Sequence, residues 1–463
     1  MGTALSHPTV PAAAPVVASG TTERDVVERV SAVVLARRAP LWWYLAVALA
    51  APLVGLLGLA ALWLFVAGIG IWGVMRPVMW GFAIANFVWW IGIGHAGTLI
   101  SAILLLLHQS WRESINRLAE TMTLFAVMCA GIFPILHLGR PWFFYWLVPY
   151  PAQMAIWPQF RSPLVWDFFA VSTYFTVSLL FWYVGMIPDL AILRDRTGRR
   201  SARIAYGILA LGWRGSGEHW RRHHRMYVLL AGLATPLVVS VHSVVSLDFA
   251  YAMVPGWHST ILPPYFVAGA IYSGFAVVLT LAVPLRRLYG LTDIITSRHL
   301  ENCAKLLLAT GEIVAYCYVM EHFMAWYSAN PFDAALVENR AFGPYAALFW
   351  IYLVCNVLVV QALWVPRVRR SPVWLFVIGA LINIGMWIER VDIVIVSLHR
   401  DFVPSAWGNF VPTIWDWATL AGTIGFFALA YLLFIRYLPL VAMSDMAKLI
   451  ADLRGKPAAA RPG

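Results

Sequence analysis

Apolar residues along this chain fall into ten long blocks that are separated by short polar stretches. A helix rises about 1.5 Å per residue, so each block is long enough to cross the hydrocarbon core of a bilayer, which is about 30 Å thick. The pattern predicts an all-α integral membrane protein with about ten transmembrane helices, numbered here as spans 1 to 10. The predicted spans are 42–70, 78–107, 119–138, 164–188, 227–248, 261–284, 302–327, 344–364, 372–396 and 414–436.

The composition strengthens this prediction. Hydrophobic residues make up 61% of the 463 residues and charged residues only 12%, about half the charged share of a typical soluble domain. Many of the 24 tryptophans lie near the ends of the blocks, where an amphipathic ring suits the membrane–water interface. These observations exclude a soluble protein.

The formal net charge is +11, and the basic residues are unevenly distributed along the chain. If the N-terminus lies inside, the inside segments carry 26 lysines and arginines and the outside loops carry 5. Cytoplasmic loops of membrane proteins carry such an excess. The sequence therefore predicts a multi-pass protein of a bacterial inner (cytoplasmic) membrane, with both termini cytoplasmic and with lipids rather than nucleic acid as partners.

The segments outside the membrane differ in character. Residues 1–40 are predicted to be a cytoplasmic tail with a short amphipathic stretch and no signal peptide. The basic loop after span 4 is interpreted as a topology determinant near anionic lipid. Its His223 and His224, like His299 after span 6, are expected to be solvated. The outside loops after spans 3, 5 and 9 are aromatic and rich in proline, which predicts contact with the membrane surface or another subunit.

The cysteines do not form a recognisable metal or haem motif. None of the four shows CxxC or CxxCH spacing, and all lie in or beside apolar blocks, at positions 129, 303, 317 and 355. The sequence therefore predicts no metal, iron–sulfur cluster or haem in this chain.

Ionisable residues inside the predicted spans are the candidates for chemistry, because such groups are costly in a membrane and usually pair or line a path. They form two groups, mostly toward the outer side. A histidine beside a carboxylate at a dry membrane edge suits a quinone headgroup, whose oxygens need hydrogen-bond partners and whose oxidation needs a base. Spans 2–5 contribute His95, His137, Arg140, Asp167, His242 and Asp248, and spans 6–9 contribute Glu312, Glu321, His322, Glu389, Arg390 and Asp392.

Each of these residues also has a structural alternative. Arg390 can form an ion pair with a neighbouring carboxylate, and Asp167 can cap a helix start. His137, just before a Gly-Arg-Pro sequence, can simply close span 3. His95 can hydrogen-bond a neighbouring helix. Glu312 is predicted to act in a proton relay, because a mid-membrane glutamate without an adjacent base is costly.

Several sequence stretches resemble a known family. HLGRPW (137–142) resembles the signature of the NrfD/polysulfide-reductase membrane-subunit family. Four longer stretches, which begin FRSPLVWDFF, VHSVVSLDFA, GEIVAYCYVM and IERVDIVIVS, closely resemble the C subunit (ActC) of bacterial alternative complex III. They lie at 160–191, 241–276, 311–328 and 388–405.

The resemblance implies a fold and a set of partners. The expected fold is two four-helix bundles, spans 2–5 and 6–9, flanked by spans 1 and 10. The expected partners are a periplasmic iron–sulfur subunit, a multihaem c-type cytochrome subunit and a second NrfD-like membrane subunit. The resulting segments are 1–40 for the tail, 41–77 for span 1 and its loop, 78–260 and 261–413 for the two bundles, and 414–463 for span 10 and the C-terminal tail.

The resemblance also implies an activity, that of a quinol:electron-acceptor oxidoreductase complex in which this chain is inactive alone. It implies a quinone cofactor, either menaquinone or ubiquinone, oxidised as quinol on the periplasmic side. His137 and Asp167 are the expected catalytic residues, with Arg140 in the same quinone motifs. The acidic residues, His322 and Arg390 of the second bundle are the expected proton path.

Two other functions compete with this hypothesis. Ten helices with acids at mid-membrane also suit a secondary transporter, although no Gly/Pro-broken pair of helices is evident in corresponding halves. A structural anchor for peripheral redox subunits, with quinone bound elsewhere, is the more serious alternative.

Overall fold

The computed structural model describes residues 15–147 and 163–455, and among these residues it contains helices and turns without a strand. Ten of the helices in the described residues are long and apolar enough to cross a membrane. This confirms the predicted all-α membrane fold. Spans 1 to 10 are Leu41–Ala67, Phe82–Leu106, Asn116–His137, Val165–Arg196, Gly217–Ala250, Leu262–Leu288, Ser297–Tyr327, Ala346–Trp364, Pro372–His399 and Ile414–Tyr437.

The spans pack as two four-helix bundles. In the first bundle, span 2 packs on span 3, span 3 on span 4, span 4 on span 5, and span 5 returns to span 2. Spans 6 to 9 close a second ring in the same way. Span 6 joins the bundles by packing on spans 2 and 5, and span 9 also contacts span 2. Spans 2, 5, 6 and 9 therefore meet at the centre of the molecule.

Spans 1 and 10 pack on each other beside the first bundle. Their approach is close at Gly422 and Gly425, where an added Cβ would meet Leu57 and Leu53 of span 1. Small residues allow helix backbones to approach in this way inside a membrane. In the most apolar 18-residue stretch of span 1, only 17% is buried inside the protein. This span therefore lies at the lipid-facing edge.

Both terminal helices lie on one side, called here the terminal face. The helix Glu23–Leu35, where the amphipathic stretch was predicted, packs on the C-terminal helix Met443–Gly455. Arg436 fastens its end by donating hydrogen bonds to the carbonyls of Val34 and Ala36, at 3.1 and 2.7 Å. These bonds satisfy carbonyls that a helix end leaves without partners.

The connections carry three features that bear on the site. On the opposite face, the short helix Pro331–Phe342 links spans 7 and 8 and is called the outer helix. Within spans 8 and 9, π-helical turns at Val354–Leu358 and Asp392–Val396 shift the side-chain register. Residues 148–162, which include most of the aromatic loop after span 3 and the start of the 160–191 stretch, lie outside the described residues.

The expectation that His299 is solvated was wrong. Its side chain is fully buried, and Nδ1 accepts a hydrogen bond of 2.9 Å from the backbone N–H of Thr296. This contact belongs to a capping box at the start of the span 7 helix. The helix begins earlier than predicted, so the histidine is drawn into its first turn rather than left in a loop.

Candidate functional site

Two histidines form the centre of the first bundle. His95 on span 2 and His242 on span 5 are fully buried, with ring centroids 4.6 Å apart. The Nδ1 atom of His95 lies 2.7 Å from the carbonyl oxygen of Ile91. Neither ring nitrogen of His242 has a hydrogen-bond partner among the described residues. Buried polar atoms are rarely left unpaired, so His242 is available to a proton, a water or a ligand atom.

A pair of carboxyl groups lies nearer the opposite face, at the ends of spans 4 and 5 that are farther from the terminal face. The side chains of Asp167 and Asp248 lie within hydrogen-bonding reach of each other. Two carboxyl groups make such a contact only when one of them carries a proton. The Oδ1 atom of each is buried without another described partner. The pair can therefore exchange a proton with a third group that enters between the two spans.

His137, the last residue of span 3, and Arg140, three residues later, lie at the same face. The half-buried imidazole of His137 is nearly parallel to the indole of Trp72, with centroids 6.5 Å apart, and its Nδ1 atom has no described partner. Arg140 is exposed. Gly139 between them has φ +67°, a left-handed conformation that glycine adopts at helix ends. The chain therefore closes span 3 here while it leaves a free histidine nitrogen at the edge of the bundle.

The second bundle contains a carboxylate with several donors. Glu389 on span 9 accepts hydrogen bonds from the hydroxyls of Tyr265 and Tyr318, at 2.6 and 2.5 Å. It also pairs with the adjacent Arg390 at 3.0 Å, as the structural alternative for Arg390 proposed. The π-helical turn of span 8 adds the amide of Asn356, which donates to the second Glu389 oxygen at 3.3 Å. Four side chains from four spans thus converge on one carboxylate.

Arg390 connects this carboxylate to the histidine pair. Its guanidinium lies over the ring of Phe266, 4.2 Å from the centroid, and the same ring lies 5.7 Å from His242. A cation over an aromatic face is attracted by the ring quadrupole. The junction of the two bundles is therefore a continuous buried region that contains His95, His242, Arg390 and Glu389.

A second ion cluster lies closer to the opposite face. Arg340 on the outer helix pairs with Glu321 of span 7 at 2.7 Å and with Asp392 of span 9 at 3.1 Å. All three side chains are at least 90% buried. The π-helical turn that begins at Asp392 places its carboxylate on this arginine. The outer helix is held over the second bundle by these contacts.

Arg340 is the functional-site candidate that the sequence did not reveal. In the sequence it lies in the predicted outside loop between spans 7 and 8, where a lone arginine usually faces water. The signal that pointed inward was local: Asn330 followed by Pro331 is a helix start, and Leu336, Asn339 and Arg340 follow at helical spacing on the buried face. Only the packing of that helix onto spans 7 and 9 makes the arginine a partner of both acids.

Two predicted residues stay apart from these clusters. Glu312 on span 7 is half-buried, and its Oε1 atom has no hydrogen-bond partner among the described residues. The Nδ1 atom of His322 lies 2.8 Å from the carbonyl oxygen of Tyr318, while Nε2 is unpartnered. Neither side chain forms an ion pair with another described residue.

The terminal side of the first bundle holds another buried ion pair that the sequence did not predict. Arg117 on span 3 pairs with Asp189 on span 4 at 3.3 Å and donates to the carbonyl of Gly185 at 2.8 Å. Asp189 also accepts from the backbone N–H of Ser444 at 2.9 Å. This pair therefore fastens the start of the C-terminal helix to the bundle.

The twelve predicted residues are therefore distributed over several small sites. The structure brings together His95 with His242, Asp167 with Asp248, Glu389 with Arg390, and Glu321 with Asp392 through Arg340. It leaves His137, Arg140, Glu312 and His322 outside these pairs. Within the described part of the chain, no group of three or more His, Cys, Asp or Glu is arranged to hold a metal ion.

Comparisons with known proteins place this architecture in a family. Residues 71–400 match the family described as "Polysulphide reductase, NrfD". The chain is 26% identical over 440 residues to the putative membrane C subunit of a dimethyl sulfoxide reductase from Halobacterium salinarum, covering 86% of this chain and 94% of that protein. It is 22% identical over 396 residues to the C subunit of a selenate reductase from Mesobacillus selenatarsenatis, covering 82% and 89%. The match spans both bundles, and the chain belongs to the polysulphide reductase NrfD family of integral membrane subunits.

Proposed function

We propose that this chain is the quinol-binding membrane subunit of a multisubunit oxidoreductase. The observation that carries the proposal is the Asp167–Asp248 pair, in which each carboxyl keeps one buried oxygen without a further partner among the described residues. The pair lies at the outer ends of two spans, at the level where a lipid-soluble headgroup would arrive from the bilayer. Membership of a family named for a reductase and two relatives named as reductase subunits support a redox role.

The residues present fit a quinol headgroup. A bound quinol supplies two electrons and two protons. Asp167 and Asp248 together can accept a proton, and the free Nδ1 of His137 can bind a headgroup oxygen by a hydrogen bond. Arg140 is exposed beside this position and contributes positive charge at the site entrance. Trp72, against His137, offers an apolar ring surface for the headgroup or its tail.

The polar residues of the bundle junction and second bundle are proposed to move protons. His242 and His95 extend inward from the outer edge of the first bundle, and Arg390 with Glu389 continues into the second. Glu389, hydrogen-bonded by two tyrosines, can accept or release a proton through them. Glu312, Glu321, His322 and Asp392 are the other proposed members of this path.

The orientation and partners are proposed as follows. The terminal face, which carries most of the arginine, is cytoplasmic, and the opposite face is periplasmic in a bacterial inner membrane. In an alternative complex III arrangement, electrons pass to a periplasmic iron–sulfur subunit and a multihaem cytochrome c, beside a second NrfD-like membrane subunit. The names of the two relatives favour a second candidate, in which the electrons reach a terminal reductase instead.

The quinol site is tested with the assembled complex. Asp167→Asn should abolish quinol-dependent reduction of the acceptor and weaken binding of a quinone analogue, while a native gel shows an intact complex. Glu338→Gln changes an exposed acid of the outer helix on the same face and should leave both measurements unchanged. Normal activity and binding in Asp167→Asn would instead support a structural anchor.

The partners are tested by purifying the complex through a tag on this chain. Mass spectrometry and haem staining of the co-purifying subunits should show a multihaem cytochrome in the first arrangement and a terminal reductase in the second. Purification of the chain alone, with substrate uptake into liposomes, would support the transporter hypothesis and contradict both.

A further inference from the structure

A cavity opens at the terminal face, on the side of the first bundle away from the proposed quinol site. Its volume is about 450 Å³, enough to hold several water molecules. Its walls are the segment after span 2, the first turns of the span 5 helix and the C-terminal helix. None of the twelve candidate residues named from the sequence lines it.

The cavity carries much less positive charge than the face around it. Glu113, Asp445 and Asp452 line it, against the two cations Arg112 and Lys448. The whole chain has a net charge of +11, most of it on this face. With Glu113 protonated, the two aspartates balance the two cations, and loss of the Glu113 proton leaves a net negative charge that attracts a proton back.

The wall of the cavity carries an incompletely paired carboxylate. Glu113 Oε1 pairs with Arg112 at 3.2 Å, while Glu113 Oε2 is buried without a described partner. Burial raises the pKa of Glu113 to about 8, against the lowering effect of the Arg112 charge. Glu113 therefore holds a proton near neutral pH and releases it as the pH rises through about 8.

The floor of the cavity leads to a second carboxylate. The hydroxyl of Tyr227 donates a hydrogen bond of 2.8 Å to Glu120 Oε1, and Glu120 Oε2 is buried without a described partner. Arg117, one turn earlier on span 3, is occupied by Asp189 and the Gly185 carbonyl. The Tyr227 side chain therefore lies between Glu120 and the cavity. The second carboxylate oxygen of Glu120 has no hydrogen-bond partner among the described residues.

The Tyr227 ring is fixed on both sides. It stacks on Phe181 with centroids 4.5 Å apart, and on His223 with centroids 5.8 Å apart. His223 lines the cavity together with His108 and His224. His108 and His224 are exposed, whereas His223 is half-buried with its Nε2 atom 3.0 Å from the carbonyl oxygen of Val184.

Hydroxyl groups continue from Glu120 toward the centre of the bundle. Thr123, one turn further along span 3, donates to the Gly94 carbonyl at 2.6 Å. The hydroxyl of Tyr174 bonds the same carbonyl at 2.9 Å, and its ring lies 5.2 Å from that of His95.

We propose that this cavity is a proton-loading site open to the aqueous phase of the terminal face, with Glu113 and Glu120 as proton acceptors and Tyr227 as the positioning residue. In the loading step a carboxylate takes a proton from water in the cavity, and no electron moves. The site goes beyond the proposed quinol chemistry, because it faces the other side of the membrane and uses different residues.

The proposal is tested on the purified chain in lipid nanodiscs, without quinol, by infrared titration of the carboxylic C=O band from about pH 5 to about pH 10. The wild type should show a buried carboxyl band that titrates in this range. Glu113→Gln and Glu120→Gln should each remove part of it. Tyr227→Phe should shift the Glu120 band, because the hydroxyl donor is lost, and Glu338→Gln should leave the buried band unchanged.

Access from the terminal face is tested by blocking the cavity. Gln109→Cys, at an exposed position that lines the cavity, is labelled with a bulky thiol reagent, and Leu211→Cys, exposed on the same face outside the cavity, is the matched control. Label at Gln109→Cys should abolish rapid deuterium exchange of the carboxyl band, and label at Leu211→Cys should not. The proposal is overturned if neither glutamate contributes a titrating band, or if exchange is unchanged with the cavity blocked.

Discussion

At the scale of single residues, Arg340 shows how a buried charge is made tolerable. Its guanidinium lies against two carboxylates, of Glu321 and Asp392, that belong to different spans. Three charges out of water are costly, and the attraction offsets that cost only while every partner is present. The cluster should therefore respond strongly to loss of one member.

We predict that Arg340→Met lowers the free energy of unfolding by about 3–5 kcal/mol, because two buried carboxylates lose their cation. Thermal unfolding of the detergent-solubilised protein measures the change. Glu338→Gln, two residues earlier and exposed, should unfold like the wild type. An unchanged unfolding temperature for Arg340→Met would show that Glu321 and Asp392 are already neutral.

Glu389 gives a second prediction at this scale. The hydroxyl of Tyr318 donates to Glu389 Oε2, and hydrogen bonds to charged groups contribute about 1.5–3 kcal/mol. Tyr318→Phe should lower the unfolding free energy by about that amount, as measured by the same thermal assay. Tyr316→Phe, at an exposed position on the same helix, is the control. Equal effects of the two variants would mean that Glu389 does not depend on this tyrosine.

At the scale of helices, close backbone approach decides the packing of the first bundle. Span 2 carries Gly97 against span 3, where an added Cβ would overlap Thr123 Oγ1 and the Ala119 carbonyl. Helices in a membrane have little hydrophobic drive to associate, so such close packing and interhelical hydrogen bonds supply the stability. Thr123 uses this proximity to bond the Gly94 carbonyl across the two helices.

We therefore expect Gly97→Val to separate spans 2 and 3 and to destabilise the first bundle by about 1–3 kcal/mol, the usual cost of overpacking. Thermal unfolding and limited proteolysis measure the effect. Gly131→Val on span 3 is the matched control, because an added Cβ there meets no atom within 4 Å. If the two variants behave alike, the close approach is not a source of stability.

At the scale of the whole molecule, the even number of spans in the described part of the chain places both terminal helices on one face. All four native cysteines, in spans 3, 7 and 8, are buried. Labelling of a cysteine introduced at the surface therefore shows which side of the membrane that position faces. In intact cells, a membrane-impermeant thiol reagent should label Ala335→Cys on the outer helix. It should label Ser201→Cys, in the basic loop after span 4, only after the membrane is opened. The reverse pattern would contradict the proposed orientation.

The amino-acid sequence alone determined the class of fold and the approximate position of each span. These follow from local physics, since a run of about 20 apolar residues has few stable alternatives to a helix across the bilayer. The same reasoning selected His95, Asp167 and Glu389 as costly residues that need partners. It could not identify those partners, because the local pattern of residues does not show which spans lie next to each other.

The tertiary structure decided which residues meet. Glu321 and Asp392 are joined by an arginine from a connection, Asp167 meets Asp248 across two spans, and Glu120 accepts a hydrogen bond from a tyrosine that lines a cavity. π-helical turns, which sequence periodicity does not resolve, turned Asn356 and Asp392 inward. The hydrophobic pattern determines that a helix crosses the membrane, whereas the rotation and pairing of helices come from packing and buried polar contacts, and those depend on the whole fold.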